Sequence, residues 1–187
     1  MSEPIAILTP EQKVALLQLA RESIAAHFGA ALPVLPNGGV FDTRFGIFVS
    51  LHKGHELRGC IGYIQGYEPL AASVVEMAQA AALHDPRFPS LSAGELPQLG
   101  IEISVLGELI PMGKDELPVI GRDGLYIRHP YGSGLLLPQV AVEWHWDAAT
   151  FLQEVCRKAG LPRHAYRDDS SSLFRFTAEV FSESDTF

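Results

Sequence analysis

Two alternating runs placed almost end to end constrain this chain more than anything else in it. Phe45, Ile47, Val49 and Leu51 alternate with Gly46, Phe48, Ser50 and His52; Leu57, Gly59, Ile61 and Tyr63 then alternate with Arg58, Cys60, Gly62 and Ile64. A period of two marks a strand with one face turned to a core. The interval Lys53-Gly54-His55 is short enough for a hairpin. A three-residue loop predicts Leu51 opposite Leu57, Val49 opposite Gly59 and Ile47 opposite Ile61, with Ser50 across from Arg58 and Phe48 across from Cys60. A two-residue Lys-Gly turn would instead slip the register by one and mix the faces.

Helices punctuate the rest. Thr9 can cap a helix that begins at Pro10, with Gln12 at capping-box spacing and Gly29 placed to end it. Pro33, Pro36, Asn37, Gly38 and Gly39 make residues 30–40 a loop. Leu70, Val74, Met77 and Ala81 recur at helical spacing over 69–83, and Pro86 breaks that pattern by restricting Asp85. Ser92 to Glu95 reads as a capped turn closed by Pro97. Ile101, Ile103 and Val105 mark a third strand, Leu125 to Arg128 a short one, and turn-rich Pro130–Gly134 precedes Leu135-Leu136-Leu137. Asp147 can cap a helix over 148–159, ended by Gly160 and Pro162. Leu173 to Phe181 predicts one last strand with Phe174, Phe176, Ala178 and Val180 on one side. Strands and helices mix without βαβ alternation, so the expected class is α+β, a mixed or antiparallel sheet packed with helices.

Composition narrows the function classes. A formal charge of −8 disfavours nucleic acid, which needs a basic footprint. Cys60 and Cys156 stand far apart with no CxxC pair, so neither a disulfide scaffold nor a structural zinc is expected. No apolar run reaches the roughly 18 residues of a membrane helix, and no basic-then-apolar leader opens the sequence. A cytoplasmic protein without membrane contact is the expectation, with no metal or cofactor indicated.

The chemistry-bearing residues gather in a few places. Arg58 and Cys60 stand two apart in one predicted strand, hence on one face, and an arginine beside a thiol favours the nucleophilic thiolate. Gly59 and Gly62 leave backbone open to a ligand or a second strand. The alternative is a packed cysteine and a structural ion pair. His84, Asp85 and Arg87 end the second helix; His84 can serve as base to Cys60 with Asp85 orienting it, or His84 and Arg87 can complement the helix C-terminus while Asp85 holds the turn. Glu102 and Ser104 share a strand face, either solvated or reaching into a pocket. Cys156 reads as core. His145, between Trp144 and Trp146, has no second ligand at metal spacing. Phosphate-loop, GxSxG and HExxH patterns are absent.

Several blocks in order carry a resemblance. Leu57-Arg-Gly-Cys-Ile-Gly62, Ala81-Ala-Leu-His-Asp-Pro-Arg-Phe-Pro89, Ile101-Glu-Ile-Ser-Val-Leu106, Gly134-Leu-Leu-Leu-Pro-Gln-Val140 and Phe151–Pro162 resemble the AMME-syndrome-region domain family. In prokaryotes that family is similar to the A component of the AmmeMemoRadiSam system. The resemblance spans about residues 10–180. It implies a single domain over 1–187 of α+β fold, its larger part built from both chain ends and its smaller part from the middle. It implies two partners, a Memo-type protein and a radical S-adenosylmethionine protein, besides an unidentified small-molecule or protein ligand. For the hexapeptide it implies a suspected catalytic role, transferred here to Arg58, Cys60, Gly59 and Gly62. Two readings follow: a modification enzyme using Cys60 as nucleophile or covalent carrier, and a non-catalytic docking module.

Overall fold

The first helix begins where its capping residues put it. Thr9 accepts the Gln12 amide and the Gln12 side chain returns to the Thr9 amide, closing a capping box ahead of α1 (Pro10–His27). Gly29 follows with φ 98°, the left-handed step that ends the helix. The computed structural model describes residues 7–185. The chain divides into two compact units: residues up to Leu106 together with Glu179 onward, and Gly107–Ala178.

In the first unit the strands are β1 (Gly46–Lys53), β2 (Glu56–Tyr63), β3 (Leu99–Leu106) and β8 (Ala178–Ser182), ordered β2-β1-β3-β8, and α2 (Leu70–Leu83) links β2 towards β3. Ile47, Val49, Leu51, Ile101, Ile103 and Val105 lie on one sheet face and are almost wholly buried in a core with α1 and α2. Each such side chain stabilises the unit by about 1.5–3 kcal/mol before the entropy of ordering is subtracted. The C-terminal segment is tied in by Arg21, which donates to Glu183 Oε1 (2.6 Å), Leu96 O and Leu99 O. Glu183 also accepts the Ile101 amide at 3.0 Å.

In the second unit β4 (Ile110–Pro111), β5 (Gly124–His129), β6 (Gly132–Leu136) and β7 (Ser172–Phe176) form a sheet ordered β4-β7-β5-β6, with α3 (Pro138–Glu143) and α4 (Ala148–Lys158). Leu125, Ile127, Phe151, Leu152, Val155 and Cys156 form its core. Asp147 caps α4 through the Thr150 amide (2.7 Å).

The α+β class is thus correct: the described residues form helices and two antiparallel four-stranded sheets. Some elements differ from expectation. The final alternating run is two strands in different sheets, parting at Thr177. The bend resets the alternation: of the even-numbered series only Phe176 is buried, Leu173 and Phe181 are buried as well, and Phe174 stacks on Tyr126. β6 starts at Gly132, inside the segment read as turn, and the short α3 and β4 lack a period long enough to detect. Among the described residues no helix is long and apolar enough to cross a membrane.

Candidate functional site

The hairpin holding the hexapeptide closes differently from the expected three-residue loop. Lys53 pairs with Glu56 across the two-residue turn Gly54-His55, and Gly54 has φ 63°, the left-handed geometry such tight turns require. That turn alone would put the polar series into the core. A bulge corrects it: His52 pairs with Leu57 but Leu51 with Gly59, leaving Arg58 as the extra residue. Beyond the bulge, Ser50 faces Cys60 and Phe48 faces Gly62, two residues away from the expected register. The broken period also changes who shares a face with Cys60. Leu57, opposite His52, is in step with Cys60, opposite Ser50; Arg58 is not.

β2 is a sheet edge, and at Cys60 that edge is closed by side chains. The Cys60 amide donates to Asp85 Oδ2 at 2.9 Å, and the Cys60 carbonyl accepts from Arg87 Nη2 at 3.2 Å. Both peptide groups therefore point away from β1, which makes Ser50 and Cys60 a non-hydrogen-bonded pair with close Cα atoms. The Ser50 hydroxyl accordingly reaches Cys60 Sγ at 3.1 Å as donor. Asp85 accepts three more bonds from Arg87: its amide (3.0 Å), Nε (3.1 Å) and Nη2 (2.8 Å). One carboxylate and one guanidinium thus supply the acceptor and donor that a neighbouring strand would offer.

The electrostatics follow from these contacts. Burial pushes the Cys60 thiol up; the Ser50 hydroxyl and the Arg87 charge pull against that, while Asp85 and Glu102 reinforce it. The expected thiol-lowering arginine beside Cys60 is therefore Arg87 and not Arg58, and it does not prevail over burial. Arg58 is engaged elsewhere, giving Nε to Glu95 Oε1 (2.9 Å) and Nη2 to Glu95 Oε2 (3.3 Å). Hydrogen bonds from Arg58 and then from the Ser92 amide bring Glu95 down to about 2. Those from Arg87 above all hold Asp85 far below the carboxylate range against the opposing effect of burial.

A pH dependence follows. Both carboxyl groups have folded values below their unfolded values near 4, so the unfolded chain binds more protons as pH falls. Their contribution is complete above about pH 5 and is lost as pH drops from there towards 2. Thermal melts across that window should show a falling melting temperature. Asp85→Asn or Glu95→Gln should flatten the slope.

The glycines of the hexapeptide serve internal packing. A Cβ on Gly59 would lie 2.2 Å from the Ala81 carbonyl of α2, and one on Gly62 would lie 2.1 Å from the Ile47 carbonyl and 2.5 Å from the Phe48 ring. The space that glycine leaves is filled by protein at both positions, which departs from the expectation of backbone open to a ligand.

Other candidates sit as follows. Glu102 is opposite Ser50 on β3, and buried Ser104 is opposite Phe48, so Cys60, Ser50 and Glu102 run across three strands on one face. His84 is exposed at the C-terminal cap of α2, and no hydrogen bond joins it to Cys60 among the described residues. Cys156 is core. No group of three metal-ligating side chains occurs among the described residues. Sequence reasoning missed Ser50 and Glu95. Ser50 was visible only as a polar member of an alternation, and Glu95 only as a capping residue. It also missed His129, whose Nε2 is 2.9 Å from Ser170 Oγ. That pair is not a nucleophile with its base: His129 Nδ1 accepts the Tyr131 amide (3.1 Å), so the neutral ring carries its proton on Nε2 and donates to the serine.

Comparison with known proteins agrees with the blocks along the sequence. The AMMECR1 family model matches residues 17–181. A protein of Methanothermobacter thermautotrophicus is 40% identical over 185 residues, covering 94% of this chain and 96% of its own length. Protein TK0174 of Thermococcus kodakarensis is 44% identical over 150 residues, 75% of this chain and 73% of its own. The crystal structure of uncharacterized protein PH0010 from Pyrococcus horikoshii superposes with a TM-score of 0.87 at 34% identity, covering 95% of this chain and 94% of that one. With the hexapeptide hairpin, the Asp85–Arg87 closure and every strand from β1 to β7 inside the matched span, this chain belongs to the AMMECR1 family.

Proposed function

We propose that this chain is a cytoplasmic component of the AmmeMemoRadiSam system that modifies a small molecule or macromolecule through Cys60, acting with a Memo-type and a radical S-adenosylmethionine protein. The observation carrying this reading is the Ser50 hydroxyl donating to Cys60 Sγ at 3.1 Å on a face that also bears Glu102. An O–H donor aimed at sulfur stabilises the thiolate, and Arg87 adds a positive charge. On this reading Glu102, on the same face across Ser50, takes the thiol proton, and exposed His84 does not. Because burial keeps the resting thiol protonated, activation accompanies substrate binding.

Alkylation of the folded protein by iodoacetamide tests this. Cys60 should react at least about tenfold faster than buried Cys156, and Ser50→Ala should slow Cys60 about fivefold, the effect of losing a donor worth roughly 1 kcal/mol. Equal rates at the two cysteines would sink the enzyme reading.

A docking module is the second reading, favoured by a separate observation: Leu57, in step with Cys60 on the edge strand, is 38% exposed. On that reading Cys60→Ser retains binding to both partner proteins and full function in the pathway. Loss of function with binding retained decides for chemistry.

A further inference from the structure

Three contacts fix the guanidinium of Arg87 and leave one of its nitrogens over. Nε and Nη2 donate to the two oxygens of Asp85 at 3.1 and 2.8 Å, and Nη2 donates also to the Cys60 carbonyl at 3.2 Å. The guanidinium carbon lies 5.4 Å from the centre of the Phe88 ring. Among the described residues none accepts from Nη1, which in the planar fork points away from the edge that Asp85 holds. The Asp85 side chain is 2% exposed and that of Arg87 51%. The pair is therefore a dipole with its positive end in solvent, and an anion meeting Nη1 lies nearer the guanidinium than the carboxylate behind it. The same charge acts on the thiol, since Arg87 and Cys60 each favour the charged form of the other. Because the guanidinium is already held, little side-chain entropy remains to be lost when a ligand binds it.

The charges also have an order across the sheet. Arg87 stands outside the edge of β2, with Cys60 on β2, Ser50 on β1 and Glu102 on β3. Neighbouring strands are about 4.8 Å apart, so the strand of Glu102 is roughly 10 Å from that of Cys60 and on the side away from Arg87. A molecule with its reacting atom at Sγ thus has a cation towards one end and a carboxylate towards the other, and its own charge sets which way round it lies. One nitrogen with two N–H groups suits a substrate carboxylate, with its single charge. A phosphoryl group brings nearly two charges and three acceptor oxygens, more than that nitrogen can satisfy near Asp85 and Glu102.

We propose that the Cys60 site takes a small substrate with a carboxylate next to its electrophilic carbon, and that Arg87 Nη1 binds the carboxylate and turns the carbon towards Sγ. This rests on the reading of Cys60 as nucleophile and adds to it the charge and orientation of the substrate. Arg87 is on this account a specificity-determining residue.

Iodoacetate and iodoacetamide test this, because they differ chiefly in the carboxylate. With either one the Cys60 sulfur displaces iodide: an S–C bond forms, the C–I bond breaks, and the thiol proton passes to the buffer. Both reagents draw on the same thiolate, so their rate ratio reports recognition and not acidity. The ratio is measured at Cys60 in the full chain by peptide mass, in about 0.15 M sodium chloride. Iodoacetate over iodoacetamide should exceed the ratio for free 2-mercaptoethanol by about fivefold or more, although a chain of net charge −8 repels the anion. Arg87→Gln should return the ratio to the free-thiol value, while Ser50→Ala should slow both reagents and keep the ratio. Acetate at about 0.1 M should slow iodoacetamide at Cys60 about twofold against chloride of equal ionic strength, and phosphate should not. The wild-type ratio and the acetate protection decide the matter even if Arg87→Gln does not fold. With Cys60 reactive to iodoacetamide, a ratio no higher than the free thiol's, a raised ratio that survives Arg87→Gln, or stronger protection by phosphate than by acetate would each overturn this proposal alone. If neither reagent modifies Cys60 faster than Cys156, the nucleophile reading fails and this proposal falls with it.

Discussion

Gly59→Val is expected to destabilise the first unit by about 3 kcal/mol or more, and even Gly59→Ala should be costly. The reason is distance: a Cβ at this position lies 2.2 Å from the Ala81 carbonyl, a backbone atom of α2 that cannot rotate aside. Relief requires α2 to move off the sheet, and α2 carries Leu70, Val74 and Ala78 of the core with it. Urea unfolding followed by tryptophan-independent circular dichroism should show a lower midpoint for the first unit. An unchanged midpoint would mean that the helix does not press on the strand. The consequence for function is direct. Loss of partner binding in Gly59→Val reports a damaged fold, so it cannot discriminate docking from catalysis. Leu57, 38% exposed and in step with Cys60, is the better probe of that strand's surface.

Asp85→Ala is expected to cost about 2–4 kcal/mol and to open the edge of β2. The buried carboxylate accepts the Cys60 amide, the Arg87 amide and two guanidinium nitrogens. Arg87 is about half exposed, so water recovers much of what its guanidinium loses. The uncompensated loss falls on the amides, at roughly 1–3 kcal/mol for each that stays buried. Hydrogen exchange at the Cys60 amide reads this locally: protection should fall in Asp85→Ala and be largely retained in Asp85→Asn, which keeps an acceptor oxygen. Equal protection in Asp85→Ala and wild type would show that the pair does not close the edge. A freed edge is also open to pairing with another strand, so aggregation should rise in Asp85→Ala.

These two positions show how a motif can be legible while its reasons are not. The hexapeptide and the block at 81–89 stand out in the sequence, and they belong together because Asp85 and Arg87 close the edge at Cys60. No spacing rule connects positions twenty-five residues apart, since the contact depends on where α2 ends relative to β2. Arg58 was paired with Cys60 by a two-residue period that the bulge breaks, and its true partner, Glu95, lies beyond α2 in sequence. Chemistry alone offers His84 as a base to Cys60, beside the alternative of a contact with the helix end; the fold turns its neighbour Asp85 inward and leaves the imidazole exposed.

What the sequence by itself determined was local and periodic. The capping box at Thr9, the helices from 10 and from 70, the hairpin, the third strand and the Asp147 cap all follow from interactions within a few residues, where chain connectivity brings the partners together. The ordered blocks determined the family. Tertiary structure alone decided the register beyond the turn, because a two-residue turn with a bulge and a three-residue loop both keep Gly59 and Ile61 on the apolar face and differ in what each side chain meets and in the face that Leu57 and Arg58 take. It decided likewise that the run ending at Phe181 serves two sheets, and that Cys60 faces Ser50 rather than Phe48. The hexapeptide's chemistry rests on that last pairing, which a non-local strand contact sets and the alternation of residues leaves open.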